Sequence, residues 1–177
     1  PMSYEDDKLY TDYRQAIFDT VKTLKDLGHK RIAYLYGFPN TTNHIRYFHL
    51  MDALAYYDME CYEELMIPGD GYSDEEAGYE ATDRLLQSTR DFTAVLALND
   101  LMAIGAMRRL WEANLRIPED VSVVGCDGIK TTAFTTPPLS TIQCHAFHLG
   151  EAMMHRLIVK IHQEEDAPPL PTLAIQA

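Results

Sequence analysis

Three residues in this sequence carry the chemistry of ligand capture rather than of bond breaking: Arg46, Asn99 and Asp127. A planar guanidinium donates paired hydrogen bonds to hydroxyls or to a carboxylate. An amide offers a donor and an acceptor together, and a carboxylate accepts from two hydroxyls. Such a set, converging on one surface, suits a polyhydroxylated small molecule. Taken singly, an arginine is more often a solvated surface group, and an asparagine before a helix is often its cap. Their placement therefore decides between the two roles.

The residue types of catalysis are present without a working arrangement. There is no Gly-x-Ser-x-Gly elbow, no Gly-rich phosphate loop and no His-Glu-x-x-His. Asp127 with Gly128 can imitate an acidic catalytic turn, but the sequence offers no partner base. No enzymatic activity and no cofactor are expected. His148, His155 and His162 recur every seven residues, which spreads them ~10.5 Å apart per step along a helix, too far to share one metal ion. His145 and His148 make two ligands without a third, so no metal site is expected. Cys61, Cys126 and Cys144 are odd in number and widely spaced, the pattern of unpaired thiols in a reducing cytoplasm.

The elements that must position the three residues can be read from pattern. Thr93 to Leu98 is a short apolar run of the kind a doubly covered strand shows, and Asn99 and Asp100 can cap the next helix. That helix, from Asp100 to Ala113, carries Ala103, Met107 and Leu110 on one stripe, with Ile104 and Trp111 beside it. Asn114 tolerates a left-handed turn, Pro118 stops the helix from continuing, and Val121 to Val124 is a second buried-type strand ending in Gly125-Cys126-Asp127-Gly128. Strand, helix, strand forces parallel strands and a right-handed crossover. Asn99 and Asp127 then stand past the carboxyl ends of their strands, where open parallel sheets bind ligands.

Upstream, Pro1 to Thr11 reads as an acidic tail, weakly extended at Leu9 and Tyr10. A helix from Tyr13 to Leu27 presents Ile17, Val21 and Leu24, and Ile32 to Tyr36 is a strand. A helix capped at Thr41 or Thr42 runs to about Tyr57, buried through Ile45, Phe48 and Leu54, and carries Arg46. Tyr62 to Ile67 is a strand, and Ser73 caps a helix through Ala77, Ala81 and Leu85, with Glu76 completing a capping box. Downstream, Leu139 to Cys144 is a strand, Phe147 to Gln163 an amphipathic helix, and Leu170 to Ala177 a closing strand. The alternation predicts an α/β fold with a parallel, doubly wound, Rossmann-like sheet.

Composition narrows the partners. A chain of 177 residues suits one domain or slightly more. Its net charge of −12, from 27 acids against 15 lysines and arginines, repels the phosphate backbone, so this chain is not expected to bind DNA by itself. No leader or long apolar run is visible, which predicts a cytoplasmic protein without a membrane partner.

Several of these stretches together resemble the sensor domain of the lactose/galactose-repressor family of bacterial transcription factors. They are TAVLALNDLMAIGAMRRL, LRIPEDVSVVGCDG, PPLSTI, LGHKRIAYLYG and the run Gly69-Asp70 to Gly78-Tyr79. Asp12-Tyr13-Arg14-Gln15-Ala16 is most similar to the catabolite-control branch.

The resemblance implies a type I periplasmic-binding-protein-like sensor of two lobes, of which this chain is mainly the C-terminal one. Residues 1–12 would be a tail or remnant of the first lobe and 13–137 the C-terminal lobe. Residues 138–165 would belong to the first lobe, and 166–177 would return to the second. Most of the first lobe and the DNA-binding headpiece are expected to lie outside this chain. The implied function is effector binding, with a sugar or sugar phosphate as ligand and DNA affinity as the output. Operator DNA would be met only through that headpiece. The alternatives are a purine effector, a phosphorylated carrier protein met by Arg156 and Lys160, or a periplasmic sugar-binding protein.

Residue by residue, the resemblance makes Arg46 an effector contact. The family's glycine and aromatic that come after it are His49 and Leu50 here. Thr42 matches a small hydroxyl position facing the cleft, and Tyr72 an aromatic against the ligand's apolar face. Cys144 stands where several sugar sensors carry a polar residue. The family's side-by-side association implies a homodimer, with Ile104 at the interface and the helix from Ser73 to Leu86 flanking it. The stripe Met153, Met154, Leu157 and Ile161 would pack on first-lobe strands.

Overall fold

The computed structural model describes residues 9–37, 44–69, 71–162 and 172–177. In chain order the elements are β1 (Leu9–Asp12), α1 (Arg14–Asp26), β2 (Ile32–Tyr36), α2 (His44–Tyr56), β3 (Met66–Pro68) and α3 (Glu75–Ser88). They continue with β4 (Ala94–Ala97), α4 (Asp100–Glu112), β5 (Ser122–Asp127), β6 (Ser140–Gln143), α5 (Ala146–His162) and β7 (Leu173–Gln176). Five strands form one parallel sheet in the order β3-β2-β4-β5-β6, and β1 pairs with β7 in a separate two-stranded parallel sheet.

The doubly wound parallel sheet is the expected α/β fold, and its central strands explain why it was readable. β4 is buried at all four positions and β2 at four of five, because a parallel sheet with helices on both faces buries both sides of each strand. Right-handed crossovers set α1 packed with α2 on one face and α3 packed with α4 on the other. Ile17, Val21 and Leu24 of α1 are buried, as are Ala77, Ala81 and Leu85 of α3 and Ala103, Met107 and Leu110 of α4. Asn114 takes the left-handed turn, with φ 60°.

Several local expectations are corrected. Ile45 and Phe48 of α2 are exposed, and Leu50, Ala53 and Leu54 make its buried face. α2 carries apolar residues on most of its circumference, so spacing alone could not choose the face. The cap of α3 is Asp74, whose carboxylate accepts from the Ala77 N–H at 2.9 Å; it shifts the helix start one residue beyond Ser73. The stretch from Tyr62 divides into a 3-10 turn at Glu63–Leu65 and the short strand β3. β1, expected as a weak tail, is a strand because β7 supplies its partner: Leu9 to Asp12 lie in register with Leu173 to Gln176. β6 is the edge strand beside β5, so Ser140–Gln143 stays with the five-stranded sheet; β7 does not join that sheet. Trp111 is exposed, and Ile104 is half-buried against the core.

α5 has no buried residue: Met153, Met154, Leu157 and Ile161 are all exposed. Among the described residues no helix is long and apolar enough to cross a membrane.

Candidate functional site

The strand order reverses between β2 and β4: from β2 the chain steps to β3 on one side, then crosses to β4 on the other. A crevice outside the carboxyl ends of the strands opens at such a switch point. α2 starts after β2 and swings Arg46 over this edge. Its Nη1 donates to the Leu98 carbonyl just past β4 at 2.6 Å, and its Nη2 donates to Asp127 Oδ1 at the end of β5 at 3.2 Å. One guanidinium thus spans two neighbouring strand ends. The ring of Tyr13, on the link from β1 to α1, lies under it with Cζ 3.9 Å from the centroid. The Tyr13 hydroxyl donates to the same Asp127 Oδ1 at 3.5 Å. A cation on an aromatic face, anchored by a carboxylate, is a rigid mount. Among the described residues both donors reach Asp127 Oδ1, so Oδ2 is the carboxylate's remaining acceptor, and Arg46 has further N–H groups beyond these two bonds.

Asp127 holds a φ of 122°, a left-handed conformation that side chains avoid. Strain of this kind costs ~1–3 kcal/mol and gathers at functional sites. Burial raises the Asp127 carboxyl above its ordinary value, with Arg46 opposing the shift. Burial also raises the Tyr13 hydroxyl, and it pushes the neighbouring Cys126 thiol up to about 12. Cys126 is therefore an inert core group rather than a nucleophile.

The other candidates occupy different places. Asn99 stands at the same edge, but its amide is engaged at both ends. Oδ1 caps α4 by accepting from the Met102 N–H at 2.9 Å, and Nδ2 donates to the Ser73 carbonyl at 2.7 Å. It ties the loop before α3 to the start of α4. Tyr72 lies on that loop and is 69% exposed. Cys144 comes just after β6 and is half-buried, its thiol 3.6 Å from the Thr11 hydroxyl. β3 and β6 are opposite edges of the sheet, four strand spacings or ~19 Å apart. Tyr72 and Cys144 therefore flank the site at its two ends, and Arg46 with Asp127 forms its centre. Thr42 lies outside the described residues, as does the expected cap of α2. The His145 and His148 rings stand 5.6 Å apart by centroid. Among the described residues no group of three or more His, Cys, Asp or Glu is placed to hold a metal ion.

Two groups were not legible as parts of this site. Tyr13 reaches Asp127 across 114 positions of sequence, and no local pattern pointed to that role. Asp100 reads as a helix-cap residue, yet its carboxylate is 1% exposed and accepts from the Ile129 N–H at 2.8 Å and from the Thr141 hydroxyl.

Comparison with known proteins gives a consistent result. Residues 21–177 match the family model described as periplasmic binding protein-like domain. The chain is 33% identical over 162 residues to the HTH-type transcriptional regulator AscG of Escherichia coli, covering 91% of this chain and 48% of that protein. It is 36% identical over 145 residues to the HTH-type transcriptional repressor PurR of Mannheimia succiniciproducens, covering 81% and 43%. A solved LacI family transcriptional regulator from Enterococcus faecium, with bound ribose, superposes with a TM-score of 0.83 at 31% identity, covering 98% of this chain and 64% of that one. The chain spans about half the length of the curated relatives it matches.

Proposed function

Because this chain belongs to the periplasmic binding protein-like domain family, in the form that serves lactose/galactose-repressor-type transcription regulators as their effector-binding region, we propose that its effector is a sugar or sugar phosphate held by Arg46 and Asp127. The observation that carries this reading is the strained Asp127 paired with Arg46 at the carboxyl edge. One fixed acceptor, Asp127 Oδ2, beside the donors of Arg46 matches vicinal hydroxyls. With the Asn99 amide engaged elsewhere, the contacts to hydroxyls rest on these two. A relative solved with ribose bound supports the ligand class.

No covalent step is required. Ligand between two lobes favours one lobe arrangement, and differential affinity for the two arrangements is what a DNA-binding headpiece would sense. That headpiece and the operator it reads belong to the proposal, as does a cytoplasmic setting.

A site of this type usually encloses ~70–90% of its ligand. One lobe leaves the far side of a sugar in water, where exchanging water for protein gains little. Calorimetry of the 177-residue chain with D-ribose and ribose 5-phosphate is expected to show nothing tighter than about millimolar. Supplying a first lobe upstream is expected to tighten it. Micromolar binding by the chain alone would contradict the enclosure argument; absence of binding with both lobes present would remove the sugar reading.

We propose self-association through α3 and α4. Ile104 is only half-buried. Ile104→Arg is expected to shift a dimer to monomer in sedimentation velocity. A wild-type chain that sediments as monomer at high micromolar concentration would rule this interface out.

A further inference from the structure

The turn that carries Asp127 is held by hydrogen bonds to its backbone. Asp127 and Gly128 are two successive residues at positive φ, 122° and 73°. Glycine adopts this freely, whereas aspartate must be held there. Behind the turn, strand pairing holds it: the Cys144 N–H donates to the Asp127 carbonyl at 3.1 Å. Ahead of it, the Gly128 N–H donates to the Thr141 hydroxyl at 3.2 Å and the Ile129 N–H donates to Asp100 Oδ2 at 2.8 Å. The Thr141 hydroxyl in turn donates to Asp100 Oδ1. Both backbone N–H groups after Asp127 therefore end, directly or through one hydroxyl, on a single buried carboxylate.

That carboxylate is not needed as the cap of α4, because Asn99 already accepts from Met102. A buried carboxylate needs donors, and these are the ones it meets, with the amino end of its own helix adding favourable field. β5 gives way to make room: a Cβ on Gly125 would stand 2.2 Å from Asp100 Oδ1.

We propose that Asp100 and Thr141 are positioning residues for Asp127, holding the two N–H groups after it and so fixing its carboxylate against Arg46. The functional interest of this rests on the reading of Arg46 and Asp127 as effector contacts, but its test uses no ligand.

The test is NMR of the isotopically labelled chain and of Thr141→Val, Thr141→Ser and Asp100→Asn. The three-bond coupling between the Asp127 amide and α protons reports its φ directly. Thr141→Val and Asp100→Asn are expected to shift that coupling towards the value of ordinary extended backbone, and Thr141→Ser to retain the wild-type value. Amide exchange at Ile129 is expected to accelerate roughly 10–100-fold in Asp100→Asn, as for loss of a hydrogen bond to a charged group. In Thr141→Val, which changes no charge, the Asp127 carboxyl is expected to titrate closer to an ordinary carboxylate as it moves into water. A purely structural role would lower the unfolding midpoint and leave the Asp127 coupling and titration unchanged. Folded Thr141→Val with wild-type coupling and titration would overturn the proposal, as would Thr141→Ser behaving like Thr141→Val. If Asp100→Asn does not fold, the two Thr141 variants decide. A failed sugar titration would remove the effector reading and leave this result to stand by itself.

Discussion

Gly105→Ala is expected to destabilise the protein by about 3 kcal/mol, at the upper end of overpacking in a filled core. In an open helix the same change would help by ~0.5–1 kcal/mol, since glycine loses more backbone freedom on folding. The packing of α3 on α4 reverses the sign. A Cβ on Gly105 would stand 1.9 Å from the Glu75 carbonyl oxygen and 2.8 Å from the Tyr79 nitrogen. Gly78 makes the reciprocal approach, 2.1 Å from the Met102 carbonyl oxygen. These neighbours are backbone, so no rotamer change relieves the overlap; the helices must separate. Their N-termini carry Asn99 and the loop it holds through Ser73, so the site's edge would move as well. Gly150, in α5 with nothing within 4 Å of its Cβ, is the control and is expected to obey helix propensity. Urea unfolding of both alanine variants decides: a Gly105→Ala midpoint at or above wild type would mean that the two helices are not in backbone contact.

The second large effect is at Arg46. Arg46→Ala is expected to cost roughly 2–4 kcal/mol and to abolish effector binding. The Leu98 carbonyl loses its donor, at ~1–3 kcal/mol for an unsatisfied buried acceptor, and the Tyr13 face loses its cation, at ~0.5–1 kcal/mol. The ion pair adds little, because the Asp127 side chain is 36% exposed and solvent screens it.

Asp127→Asn is expected to separate stability from binding. It keeps an acceptor for Arg46 and Tyr13 while removing the charge. The folded carboxyl holds its proton more tightly than the unfolded one, because burial outweighs Arg46. Between the ordinary carboxylate value, about 4, and the raised folded value, the folded state binds more protons, so stability falls as pH rises through that window. Asp127→Asn lacks this fall. Its advantage over wild type in thermal midpoint should be small in acid, grow with pH, and level off above the folded value, with sugar binding lost throughout. An advantage that shrinks as pH rises would show that Arg46, not burial, dominates the carboxyl.

The chain by itself determined the layered sheet and much of its core. β2 was legible residue for residue because a strand covered on both faces needs a continuous apolar run, and Ile17, Val21 and Leu24 were legible because only one face of α1 is apolar. Arg46 and Asp127 could be placed at one edge because parallel topology puts every strand's carboxyl end on the same side. Tertiary structure decided what spacing leaves degenerate. α2 is apolar around most of its surface, so packing chose Leu50, Ala53 and Leu54 over Ile45 and Phe48. The Asn99 amide suits either a ligand or a helix end, and the nearness of the Met102 N–H and the Ser73 carbonyl fixed its role. Tyr13 and Asp100 entered the site through contacts 114 and 29 positions apart, and a local pattern contains no information about which distant backbone group will arrive. α5 shows the same limit: periodicity marks an apolar face, but what covers it depends on surfaces beyond the helix itself.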